Sequence, residues 1–133
     1  MKKLLQSAFV ALPLIGIFAI NAEARCTQWS VNGDFRLKQS NGFTVRCTMN
    51  QHRGSFEGSC ATAGNGGDAS GSIGRSGKFN MVVRWDGSSL GDYTGFVNGR
   101  GQVEDGRTYD RRSPSNWAKW WNTSSLSCTR RGR

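Results

Sequence analysis

The chain has 133 residues, 18 of them glycine, four cysteine and two proline, and a formal net charge of +9. That length holds one domain and excludes multidomain architectures and most large enzymes. The surplus of cations points to anionic partners such as nucleic acid, acidic polysaccharide, lipopolysaccharide or an anionic envelope surface, or serves solubility alone.

Taken in chain order, Lys2 and Lys3 precede an apolar run from Leu4 to Ile20, and Ala22-Glu23-Ala24 supplies the small residues of a cleavage site. Residues 1–24 therefore read as a bacterial-type secretory signal rather than a membrane anchor. Arg25 before Cys26 argues against a lipoprotein. Cleavage leaves residues 25–133 as a single domain of 109 residues, with 16 basic and 8 acidic side chains, a net charge of +8 and 13 arginines. The expected location is secreted or periplasmic, with no transmembrane anchor remaining.

The rest of the chain is short alternating runs cut by turn residues. Val31, Gly33, Phe35 and Leu37 alternate with polar neighbours, and Asn41-Gly42 is a strong hairpin signal. Phe43, Val45, Cys47 and Met49 form the return strand, a turn spans Gln51 to Gly54, and Phe56, Gly58 and Cys60 mark a third strand. Thr62 to Ser70, rich in glycine, reads as a loop; one glycine–aspartate cluster falls short of a calcium repeat. A strand near Gly71 to Gly74, a turn at Ser76-Gly77 and a strand carrying Phe79, Met81, Val83 and Trp85 follow. Asp86-Gly87 opens a turn, Tyr93 to Val97 is a strand, Asn98 to Gly101 is a tight turn, and Gln102 to Tyr109 is the return. A connection at Asp110 to Asn116 precedes a last strand, Trp117 to Cys128, and Arg130, Arg131 and Arg133 read as a frayed tail. A short helical turn through Trp117, Trp120 and Trp121 is the alternative reading of that region.

Four cysteines in an oxidising compartment imply two disulfides. Of the three possible pairings, Cys47–Cys60 closes one hairpin and Cys26–Cys128 joins the chain ends, so this pairing is preferred. A zinc site fails on spacing. Period-two alternation with polar outer faces implies antiparallel strands. Eight hairpin-linked strands close most simply into an all-β, antiparallel up-and-down barrel. Closure would place the first strand beside the last, where Cys26 and Cys128 could meet.

Gly33-Asp34-Phe35, Asn41-Gly42-Phe43-Thr44-Val45 and Gly54-Ser55-Phe56-Glu57-Gly58 resemble the opening strands of the avidin and streptavidin (calycin-like) barrels, and Phe79 to Trp85 with Tyr93-Thr94-Gly95 look like their central strands. The resemblance implies an eight-stranded barrel with a small-ligand pocket at its mouth. The biotin-holding pattern of that family has no position-by-position match here, and the cysteines and arginines depart from it. Small periplasmic proteinase inhibitors also use eight-stranded barrels, but no motif here identifies one.

No phosphate-binding loop, metal-binding helix motif or nucleophile elbow occurs, so no catalytic residue, cofactor or metal is expected. His52 is the one histidine, and with Glu57 on the next strand it is the acid–base pair that an enzyme acting on an anionic polymer would use. The aromatic and basic residues say more. Trp120 and Trp121 are adjacent and must face opposite ways in a strand, so one of them is exposed or at a rim. Arg36, Arg46 and Arg84 fall on the polar faces of their strands, and with Trp120, Trp121 and Tyr93 they are the candidate binding residues. Aromatic side chains among arginines are the footprint of an anion or polymer binder. The expectation is a non-enzymatic secreted barrel that binds a small, anionic or saccharide ligand. An enzyme on an anionic polymer, or an envelope structural or protease-inhibitor protein, is the alternative.

Overall fold

The computed structural model describes residues 25–132, all of them in strands or the turns between them. The secretory-signal reading of residues 1–24 lies outside the described residues, as does Arg133. Ten strands occur in order: β1 (Arg25–Ser30), β2 (Gly33–Gln39), β3 (Thr44–His52), β4 (Ser55–Thr62), β5 (Asn65–Ile73), β6 (Lys78–Trp85), β7 (Leu90–Val97), β8 (Val103–Asp110), β9 (Trp117–Asn122) and β10 (Ser127–Gly132). Strands β2 to β9 form a closed, antiparallel up-and-down barrel, and β1 and β10 form a separate two-stranded ribbon. The all-β, eight-stranded barrel with two disulfides is as expected from the sequence, and it is compatible with a calycin-like architecture.

Alternation drives the barrel. Along β2, Phe35 and Leu37 point inward and Asp34, Arg36 and Lys38 outward; β3 repeats this with Val45, Cys47 and Met49 inside. Phe79 sits at the centre of the interior with no solvent exposure. Its ring lies 5.1 Å from Trp120, 5.7 Å from Phe56 and 6.0 Å from Phe35, centroid to centroid. These inward rings fill the waist of an eight-stranded barrel, which is just wide enough for side chains there.

Three sequence readings are corrected. Most of Thr62 to Ser70 is not a loop: β5 begins at Asn65 and pairs along its length with β4 and β6. Its inward positions are Gly67, Ala69, Gly71 and Ile73, so apolar alternation is almost invisible. Neighbouring strands supply the missing volume. A Cβ on Gly71 would stand 2.6 Å from Phe56 Cζ, and one on Gly67 would stand 3.0 Å from the Trp85 ring. Second, the run Trp117 to Cys128 is two strands with a turn between them, and the helical alternative is excluded by the pairing of β9 with β2 and β8. Third, Arg130 and Arg131 are not a frayed tail but part of β10, paired with Gln28 and Cys26.

Both disulfides pair as expected, Cys47–Cys60 and Cys26–Cys128. Cys47 and Cys60 are directly opposite on β3 and β4, with Cα atoms 4.0 Å apart. Cys26–Cys128 does not lie at the barrel seam. The seam is β2–β9, through Leu37–Asn122, Lys38–Trp121 and Gln39–Trp120. The second disulfide instead closes the ribbon. Two disulfides fit a chain that matures in an oxidising compartment.

The ribbon seals one end of the barrel. Trp29, Val31 and Leu126 are buried as part of the core. Gln51 holds the ribbon's exit: its Oε1 accepts from Val31 N at 2.7 Å and its Nε2 donates to Trp29 O at 2.8 Å. Asn122, 3% exposed, is the second latch. It accepts from Val103 N at 2.9 Å and donates to Gly101 O at 2.9 Å and Ser124 O at 2.7 Å. The connections β2–β3, β4–β5, β6–β7 and β8–β9 lie at the opposite end, which none of the described residues covers.

Candidate functional site

At that uncovered end the barrel opens into a cavity of about 560 Å³. Ligand pockets commonly run roughly 300–1,000 Å³, so this space holds a small molecule. Its lower wall is Val45, Trp85, Tyr93 and Thr108, and its rim includes Phe43, Asn65, Ser89, Asp110, Asn116 and Trp117. The alternation that packs the waist also puts Val45, Trp85, Tyr93 and Thr108 above it, whereas Trp117 reaches the rim from the outer face of β9. Near the waist Phe35, Phe79 and Trp120 fill the bore, whereas Gly91 and Thr108 at the open end are small and leave it hollow.

Tyr93 forms part of the floor. Its hydroxyl donates to Gln39 Oε1 at 2.8 Å, bridging β7 to β2 across the barrel. Burial pushes its pKa up to about 12, while a hydrogen bond with Thr108 pulls the other way. It stays a neutral donor at any physiological pH. Among the described residues the lining contains amides, hydroxyls and five aromatic rings but no lysine or arginine. Asp110 is the sole carboxylate of the lining, and hydrogen bonds from Arg112 hold its pKa below the usual carboxylate value. The loop arginines are tied down: Arg111 Nε meets Asp92 at 2.8 Å and Arg112 meets Asp110 at 3.2 Å. The mouth therefore presents hydrogen-bonding groups and ring faces, with a slight negative bias.

The other sequence candidates divide between interior and wall. Trp120 is inward and 2% exposed, its Nε1 donating to Thr94 O at 3.0 Å, and it is part of the packed waist. Trp121 points outward and is 42% exposed. Arg36 and Arg46 are exposed and directly opposite each other on β2 and β3. Arg84 is not with them. It lies on β6, separated from β3 by two strands, and faces Asp68 on β5. His52 and Glu57 both point outward, at diagonal positions of the β3–β4 pair. No hydrogen bond joins them among the described residues. At the sealed end a groove of about 750 Å³ runs between the ribbon and the turns, lined in part by Arg25, Arg75 and Arg131.

The rim residues Asn65, Ser89 and Asn116 were missed because each reads locally as ordinary turn chemistry, and Phe43 because it reads as one more apolar residue of the return strand. The one signal that could have found them was spacing. Every second turn of an up-and-down barrel lies at the same end, which groups these four. No family model matches the chain, and no curated protein or solved structure matches it.

Proposed function

We propose that this chain is a secreted or periplasmic, non-enzymatic binding protein that holds a small, uncharged, ring-bearing polar molecule, such as a sugar, in the open barrel mouth. The observation that carries this reading is the asymmetry of the barrel: one end sealed by a disulfide-tied ribbon, the other open over a polar, aromatic cavity of about 560 Å³. Export rests on the secretory pattern of residues 1–24 together with the disulfides. A remote avidin-type relationship is part of the reading, because that resemblance implied a pocket at this place. The lack of cations in the lining turns the mouth away from anionic ligands.

The test is a thermal-shift screen of neutral sugars and uncharged heterocycles, run at low and high salt. A fitting ligand at a hundredfold excess over its Kd stabilises by about 2.7 kcal/mol, a rise in Tm of about 10 °C. The rise should be independent of salt and lost in Phe43→Ala and Asn65→Ala variants that unfold normally without ligand. A screen in which only anions shift Tm, or in which the shift survives both substitutions, would refute the mouth as the binding site.

A further inference from the structure

The outer wall formed by β8, β9, β2 and β3 carries a feature that shares only Trp117 with the rim of the mouth. Only four large apolar side chains are notably exposed among the described residues: Phe43, Phe96, Trp117 and Trp121. Two of them, Trp117 and Trp121, project from the same face of β9, with Lys119 between them. Around them lie Arg107 on β8, Lys38 and Arg36 on β2, and Arg46 on β3, all outward. Register makes the arrangement close. Lys38 stands directly opposite Trp121, Arg107 opposite Lys119, and Arg36 opposite Arg46. The Arg107 guanidinium also lies 4.3 Å above the Trp117 ring.

Like charges directly opposite across a strand pair are destabilising. This wall has two such pairs, Arg36–Arg46 and Arg107–Lys119. Asp34 offsets one of them, through Arg36 at 3.1 Å. Among the described residues no ion pair involves Lys38, Arg46, Arg107 or Lys119, whereas the arginines of the mouth loop are neutralised. Unpaired cations, exposed indoles and like-charge pairs thus coincide on one face. A shallow concavity of about 250 Å³ between β8 and β9, bordered by Asp105, leads onto it.

We infer that this wall binds a single-stranded nucleic acid, with bases stacking on Trp121 and Trp117 and phosphates meeting Lys38, Lys119, Arg46 and Arg107. Apart from Arg107, which stacks on one face of Trp117, the rings and cations occupy alternate positions. Neighbouring strands are about 4.8 Å apart and alternate residues of one strand about 6.8 Å apart, so each indole has a cation one step away. A nucleotide separates its flat base from its charged phosphate by a comparable span, whereas an acidic sugar carries its charge on the stacked ring itself. Sequence-tolerant single-strand sites combine stacking platforms with a cationic track in this way.

The test is fluorescence anisotropy with a labelled oligothymidylate of about ten nucleotides, within the usual footprint of one small barrel. With about four phosphates neutralised, log K should fall against log salt with a slope of about −3. Trp121→Ala should weaken binding about 5- to 150-fold, the range for loss of one stacked base. The Arg46→Glu/Lys119→Glu double variant should abolish it, with thermal denaturation confirming the fold of both. Asn65→Ala, in the mouth, should bind the oligonucleotide like the wild type, which separates this site from the mouth. Absence of binding at low salt overturns the proposal. So does undiminished affinity in the double variant, which would place binding at the arginines of the sealed end. Equal affinity for a uronate polysaccharide, with no effect of Trp121→Ala, would assign the wall to acidic glycans instead and also overturns it.

Discussion

Asn122 offers the sharpest test of how the barrel is held. Its side chain satisfies three backbone groups, Val103 N, Gly101 O and Ser124 O, at 2.9, 2.9 and 2.7 Å. Asn122→Ala leaves all three without that partner. An unsatisfied buried polar group costs about 1–3 kcal/mol. Gly101 and Val103 are buried and Ser124 is exposed, so water recovers part of one bond. The expected loss is about 3–5 kcal/mol, or about 12–20 °C in Tm for a domain of this size. Asn122→Asp separates hydrogen bonding from packing. The carboxylate still accepts from Val103 N, but its second oxygen faces the carbonyls of Gly101 and Ser124. Ionisation is disfavoured there, so the folded-state pKa rises above the unfolded value. A group raised in this way stabilises most below its unfolded pKa, and that stability is lost as pH rises through the folded value. The N122D variant should therefore be less stable than N122A at neutral pH and should recover relative to wild type in acid. Urea denaturation with a check on constant m-values reads both effects. If N122A lies within about 1 kcal/mol of wild type, the latch is not what joins β9 to the β7–β8 turn. The same burial makes Asn122 an unsuitable acceptor for a glycan, although Asn122-Thr123-Ser124 has the form of a sequon.

Tyr93 gives a spectroscopic prediction. With its pKa pushed up to about 12 from 10.0, the neutral form is favoured by folding. The resulting stability is fully present below pH 10 and is lost as pH rises toward 12. Alkaline titration by ultraviolet absorbance should show one of the two tyrosines ionising late, and Tyr93→Phe should remove that late step; a late step that persists in the variant would contradict the assignment. The disulfides should also differ in their contribution to stability. Cys26–Cys128 spans 102 residues and Cys47–Cys60 spans 13, so the Cys26→Ser/Cys128→Ser pair should lose nearer 5 kcal/mol and the hairpin pair about 3. Urea unfolding of both double variants checks the order. A smaller loss for the long loop would mean that the ribbon already holds its own pairing without the bond.

Much of the fold was legible in the sequence, and the reasons differ by element. β2, β3 and β6 were visible because Phe35-Leu37, Val45-Cys47-Met49 and Phe79-Met81-Val83-Trp85 put large side chains at every second position. β5 was hidden, because its inward Gly67, Ala69 and Gly71 are small for the sake of the rings of Phe56 and Trp85 on neighbouring strands. Adjacent Trp120 and Trp121 had to face opposite ways, but sequence spacing did not say which was buried. The register Lys38–Trp121 and Gln39–Trp120 decides that.

Of the candidate sites, the sequence singled out Tyr93, Trp121, Arg36 and Arg46 as residues, but not the surfaces to which they belong. By itself it determined strand type and strand number within the barrel, and it favoured the disulfide pairing among three, because alternation and turn chemistry are local properties whereas Cys26 and Cys128 lie 102 residues apart. Only the tertiary structure decided that the chain ends leave the barrel to form a ribbon that seals one end. It also decided that Arg84 stands apart from Arg36 and Arg46, and that the open mouth lacks cations while the β8–β9–β2–β3 wall collects them. Closure and register relate residues on different strands, many positions apart along the chain, and no local pattern carries that information.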